Sequence, residues 1–89
     1  MAKELIFTAR FKKNFKALSR DVQGRFEKKL DLFLADPRHP SLNIHRYHGF
    51  EDVWEAYISL HHRFTFSITK ESIVFRNIGP HRIIDRGEV

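Results

Sequence analysis

Eighty-nine residues make one domain whose core must be economical, because a chain of this size hides only about 60–65% of its unfolded surface, and nine Phe, two Tyr and one Trp are there to supply that core. The absence of cysteine excludes a disulfide framework and a zinc–thiolate site. The net charge of +5 is unevenly placed, with 11 Lys+Arg against 5 Asp+Glu in residues 1–50 and 5 against 6 in residues 51–89. Such an imbalance fits either a footprint for a polyanion such as nucleic acid or a solvated, lysine-rich helix pair.

Lys3 and Glu4 interrupt any apolar run after Met1, and no stretch approaches the roughly 20 apolar residues of a membrane span. A soluble, cytoplasmic protein with no membrane partner is expected. Residues 3–8 read as a first strand carrying Leu5, Ile6 and Phe7. Thr8 can cap a helix over residues 9–18, in which Phe11, Phe15 and Leu18 recur at helical spacing and Lys12, Lys13 and Lys16 fill the other faces. Ser19 offers a second cap, with Asp21 in the first turn, for a helix over residues 20–35. Val22, Phe26, Leu30, Phe33 and Leu34 form its apolar stripe, and Pro37 ends it.

After Pro40 the period changes from helical to two. Residues 43–48 predict a short strand closing at Gly49, and residues 53–60 another, with Trp54, Ala56, Ile58 and Leu60 on one side and Glu55, Tyr57 and Ser59 on the other. His61 and His62 mark a tight reversal. Residues 63–69 alternate Arg63, Thr65 and Ser67 outward with Phe64, Phe66 and Ile68 inward. Residues 72–78 form the last strand, closed by Gly79-Pro80, and residues 81–89 a short tail. The expected fold is α+β, β-α-α-β-β-β-β, an antiparallel twisted sheet with the helix hairpin covering one face and polar strand residues collecting on the other.

Three segments carry a resemblance: "FTARFKKNFKALSRDVQGRFEKKLDLFLADPRHPSL", "HRYHGFEDVWEAYISLHHRFTFSI" and "VFRNIGPH". Their order, with Gly49, Trp54, His62-Arg63 and Gly79-Pro80-His81 at the family's spacing, resembles the RelE/ParE superfamily, toxins of type II toxin–antitoxin systems. The likeness spans about residues 4–85 and implies a single toxin domain over 1–89. It also implies a ribosome-dependent mRNA endonuclease, with a cognate antitoxin, the ribosome and mRNA as partners, a monomeric free toxin, and no cofactor or metal. A ParE-like protein that blocks DNA gyrase without being an enzyme, and a degenerate toxin that only binds its antitoxin, are the other readings the superfamily allows.

For the endonuclease, a 2′-hydroxyl attacks its own 3′-phosphate, which calls for a base, positive charge for the phosphorane and an acid for the leaving oxygen. His, Arg, Lys, Glu and Tyr can supply all three. The resemblance makes Arg63 the phosphate-stabilising residue; by strand parity alone it can equally be an exposed arginine paired with Glu55. His81 takes the place of the acid or base after Gly79-Pro80, against the alternative of a surface histidine in a tail. His45 is a further catalytic candidate, or packed with Tyr47; Glu55 is a base, or merely a counter-charge to Arg63. Arg76, Arg46 and His62 are candidate RNA contacts at the site, and Lys12, Lys13 and Lys16 make diffuse backbone contacts or are plain helix surface. No six-histidine pattern reads as a metal site. Two departures stand out. The strand before Arg63 carries Glu55 and Tyr57 where the RelE branch uses lysines, and Ile84 or Asp85 occupies the place of a terminal tyrosine.

Overall fold

A computed structural model describes residues 3–89. Strand β1 (Glu4–Phe7) leads into α1 (Ala9–Lys16) and α2 (Arg20–Ala35), followed by a 3-10 turn (Pro40–Leu42). The strands β2 (His45–Arg46), β3 (Trp54–Tyr57), β4 (His62–Ile68) and β5 (Ser72–Pro80) then precede a short helix, α3 (His81–Asp85). The sheet order is β1-β5-β4-β3-β2. Strands β2 to β5 form the antiparallel meander their tight turns require, and the exception is β1, which joins β5 in parallel. The long α1–α2 connection between β1 and the meander is what permits that parallel pairing.

Both helix starts are fixed by hydroxyl caps. Thr8 Oγ1 accepts from the Phe11 amide at 3.1 Å and donates to the Arg76 carbonyl at 2.9 Å, so the same side chain starts α1 and pins it to β5. Ser19 accepts from the Val22 amide. The helical phenylalanines Phe11, Phe26 and Phe33 are buried and interleave with Phe64, Phe66 and Phe75 from β4 and β5, with centroids 5.2 Å apart for Phe26–Phe64 and 5.0 Å for Phe33–Phe66. Leu42, Ala56, Ile58 and Ile78 complete this core, which lies between the helix hairpin and one sheet face.

Several boundaries shift from the sequence reading, each for a local reason. The strand expected over 43–48 contracts to His45–Arg46, because Asn43 adopts a left-handed conformation (φ 51°) that ends the 3-10 turn, and Gly49 at φ +90° turns the chain. The strand expected over 53–60 ends at Tyr57; Ser59 and Leu60 belong to the reversal, and Leu60 is 75% exposed rather than inward-facing. β5 runs on to Pro80, which pairs with His62 at the strand end where a missing amide costs no ladder bond. A bulge shifts the register from Thr65↔Asn77 to Phe66↔Phe75, leaving Arg76 as the extra residue.

The expected tail is the larger difference. α3 and the residues after it lie across the sheet face opposite the helix hairpin, where Ile84 and Val89 bury against Val53 and Tyr47. Polar groups fasten this cover: Thr65 Oγ1 and Arg76 Nε donate to the Val89 carbonyl, and Asn77 Nδ2 donates to the Glu88 carbonyl. That face is therefore partly roofed rather than open. Among the described residues, no helix is long and apolar enough to cross a membrane.

Candidate functional site

Ladder register decides which polar side chains meet. His45 opposes Glu55, Glu55 opposes Thr65, and Tyr57 opposes Arg63, so these five share the face away from α1 and α2. The same rule turns the Arg46 guanidinium to the other face, although the residue borders a recess beside His45. Arg46 opposes Trp54 on the helix-side face, and its guanidinium lies 5.3 Å from the Trp54 ring centre.

His45 is neither a loose surface imidazole nor packed with Tyr47. Its Nδ1 lies 2.6 Å from the Asn43 carbonyl and its Nε2 lies 2.7 Å from Glu55 Oε1. A carbonyl only accepts, so Nδ1 carries the hydrogen. The proton between Nε2 and Oε1 is then shared: an imidazolium facing a carboxylate, or a neutral imidazole accepting from a carboxylic acid. Glu55 is 6% exposed, and its second oxygen, Oε2, is buried without a hydrogen-bond partner. An unsatisfied buried acceptor is costly, which makes the contact of Oε1 with His45 the one that holds this carboxylate in the sheet. Glu55 is thus the partner of His45 and does not neutralise Arg63.

Arg63 departs from expectation in a second way, since it is 8% exposed rather than displayed on an open face. Its guanidinium carbon sits 3.5 Å from the centre of the Tyr57 ring. Nη1 donates to the carbonyls of Ser59, Leu60 and His62 at 2.7, 2.8 and 3.1 Å, clasping the β3–β4 turn. One edge of the guanidinium is occupied, while Nε and Nη2 make no hydrogen bond among the described residues. Stacked beneath and anchored on one side, the fork is held in a single orientation, which lowers the entropy lost on gripping an oxyanion. Tyr57 links the two halves of the site: one face carries Arg63, and the His45 ring meets it edge-on at 6.0 Å.

His81 stands at the same end of the sheet. Arg63 opposes Gly79, two residues before His81, and the His81 amide donates to the His61 carbonyl at 2.7 Å. The His81 ring lies 6.0 Å from that of His61, and its Nδ1 is 3.4 Å from Asp85 one turn along α3. His62 opposes Pro80 and approaches Ser59 Oγ at 3.4 Å. Burial, followed by the positive charges of His61, Arg63 and His81, pushes the His62 imidazole below its usual range, so its neutral form is favoured. Among the described residues, no three His, Asp or Glu side chains are grouped to hold a metal ion.

The remaining candidates lie elsewhere. Arg76 is engaged by Val89 and by Ser67 Oγ (3.3 Å), so it secures the roof rather than presenting a free fork. Lys12 and Lys16 border a groove between α1 and α2 lined by Phe7, Phe11, Phe15 and Leu30, in the helix layer, and Lys13 is on the same helix. These lysines are not brought to the Arg63 face. Sequence reasoning missed Tyr57 and Asp85 as members of the site. For Tyr57 the signal was present, because it shares strand parity with Glu55; for Asp85 only the folding of α3 onto the sheet reveals it. A recess lined by His45, Arg46, Tyr47, His48, Glu55 and Asp85 opens beside the His45–Glu55 pair. Burial first, then the carboxylates of Asp85 and Glu55, push the Tyr47 hydroxyl above its usual range, and it donates to the Ile84 carbonyl.

No protein-family model and no curated protein matches the chain. The toxin–antitoxin complex DinJ–YafQ of E. coli contains a chain similar to this one at TM-score 0.80 and 11% identity, covering 94% of this chain and 98% of that one. The archaeal RelE–RelB complex of Pyrococcus horikoshii OT3 gives TM-score 0.70 at 16% identity, covering 90% and 96%. A mutant of the E. coli toxin RelE in the free state gives 0.70 at 22%, covering 96% and 90%. The chain has the fold of the YafQ and RelE toxins.

Proposed function

We propose that this chain is the toxin half of a type II toxin–antitoxin pair and cleaves messenger RNA on the ribosome, in the cytoplasm, by a step its own side chains carry out. The observation that carries the proposal is the convergence, on one sheet face, of a proton-sharing His45–Glu55 pair and an Arg63 guanidinium with one free edge. Glu55 and Tyr57 are two residues apart on β3, a rise of about 7 Å, and the Tyr57 ring links the pair to the guanidinium, so both can reach one phosphodiester laid across it.

The 2′-oxygen of one nucleotide attacks its 3′-phosphorus while the bond to the 5′-oxygen of the next nucleotide breaks. The products are a 2′,3′-cyclic phosphate and a 5′-hydroxyl. The 2′-hydroxyl gives its proton to the His45–Glu55 pair, which is open to substrate on the side of the half-exposed imidazole. Nε and Nη2 of Arg63 hold the phosphorane oxygens, whose charge grows in the transition state. His81, at the start of α3 and steadied by Asp85, protonates the leaving oxygen. The fold shared with YafQ and RelE supports the reading.

An antitoxin partner follows from the same likeness, because the similar YafQ and RelE chains were solved with DinJ and RelB. The groove between α1 and α2, apolar along Phe7, Phe11, Phe15 and Leu30 and edged by Lys12 and Lys16, suits an acidic amphipathic segment.

The test is expression with and without the adjoining small gene, following growth, mRNA 5′ ends and plasmid supercoiling. New 5′ ends in translated messages, lost in Arg63→Ala and His81→Ala, are expected. Growth arrest that survives both substitutions while supercoiling changes would replace this reading with gyrase inhibition.

A further inference from the structure

Beside the His45–Glu55 pair, the β2–β3 loop builds a small aromatic ledge. The Tyr47 amide donates to the Val53 carbonyl at 2.8 Å, closing the loop, and Gly49 at φ +90° turns it. Phe50 then packs on Tyr47 with centroids 5.6 Å apart and remains 43% exposed. Tyr47 is held beneath it by the Ile84 carbonyl and by the cluster of Val53, Ile84 and Val89. A large apolar ring left in water on a closed loop, beside a proton-sharing pair, is unexplained by the fold's own packing.

The other rings on this face are committed. Tyr57 has Arg63 on its face and His45 at its edge. Tyr47 is covered by Phe50 and the roof. Trp54 lies on the far side of the sheet beneath Arg46. Among the described residues, Phe50 is the aromatic next to the pair that still has an open face. The recess holding His45, Glu55 and Asp85 and the recess beneath Phe50 share Arg46, Tyr47 and His48, so the two form one continuous surface.

We infer that Phe50, backed by Tyr47, forms a stacking subsite for an unpaired nucleobase adjoining the scissile phosphate. The inference rests on the endonuclease reading and adds the feature that selects where in a message the cut falls. Stacking accepts any base's π-face, and its strength grows with ring area, so purines are favoured over pyrimidines. His48, on the same rim, is a polar group within reach of a base edge.

Two measurements test it. In a cleavage assay on ribosome-bound message, Phe50→Ala should lower kcat/KM by about 10- to 100-fold and broaden the set of cut positions, and Phe50→Trp should restore both. In a direct binding assay, the fluorescence of the Phe50→Trp protein should be quenched by a single-stranded 2′-O-methyl oligonucleotide, which cannot be cleaved, and the wild-type protein, whose Trp54 faces away, should show little change. Unaltered rate and cut positions in Phe50→Ala, or no quenching at the introduced tryptophan, would overturn the subsite. If wild-type protein yields no new 5′ ends yet the quenching appears, the nuclease reading fails while base stacking at Phe50 stands.

Discussion

Replacing Arg63 should separate a structural from a chemical contribution in a single residue. Its Nη1 reaches three turn carbonyls and its guanidinium covers Tyr57. Two effective hydrogen bonds from a charged donor and one cation–π contact together give about 4 kcal/mol of stability that Arg63→Ala would lose. A domain of this size has about 6 kcal/mol to lose, and the remaining ~2 kcal/mol keeps roughly 97% of the molecules folded. Unfolding therefore removes almost none of the activity. Loss of an oxyanion contact removes about 10²–10³-fold in rate, or ~3–4 kcal/mol of transition-state stabilisation. Arg63→Lys keeps the charge but offers one ammonium to satisfy either the turn or the phosphate, so it should recover most of the stability and little of the rate. Urea denaturation gives the first quantity and single-turnover cleavage on ribosome-bound message the second. If folded Arg63→Ala cleaves within about threefold of wild type, the guanidinium does not hold the phosphorane and the proposed chemistry is wrong.

Glu55→Gln keeps the shape of the His45 contact but cannot share its proton; it should retain the fold and cost about 10²–10⁴ in cleavage rate, and equal losses in His45→Gln and in the double variant would show that the pair works as one unit. Because the His62 imidazole is held below its ordinary value of about 6.5, the unfolded chain binds the proton first as the pH falls. Stability from this group is present above that pH and declines below it, so thermal unfolding of His62→Asn should depend less on pH from about 6.5 downward; an unchanged profile would dismiss the burial argument. Lys12, Lys13 and Lys16 lie in the helix layer, away from Arg63, so reversing all three to Glu should flatten the salt dependence of ribosome binding by a log–log slope of about 2–3 while leaving single-turnover cleavage at saturating toxin unchanged.

What was legible in the chain is what local forces decide. Thr8 and Ser19 cap helices because a hydroxyl at that point meets free amides; Phe11, Phe26 and Phe33 are spaced for one helical stripe; Phe64 and Phe66 alternate for one sheet face. The same alternation put Glu55, Tyr57 and Arg63 on the other face, and the Gly79-Pro80-His81 ending brought an imidazole to the end of β5. Pairing between distant segments was not legible. That β1 joins β5 in parallel, that Arg46 falls on the Trp54 side, and that α3 roofs the site follow from register and burial, which only the closed chain defines. Spacing in the chain likewise left Arg63 free to pair with Glu55. The folded sheet gives Glu55 to His45 and turns Arg63 onto Tyr57 and its own turn, because a buried carboxylate takes the donor directly across the ladder and a guanidinium fills with the carbonyls nearest its root. Residue types and their order determined which chemistry was available; which groups touch, and which stay unpartnered, was decided by the tertiary structure, since one strand's parity is local and the register between two strands is not.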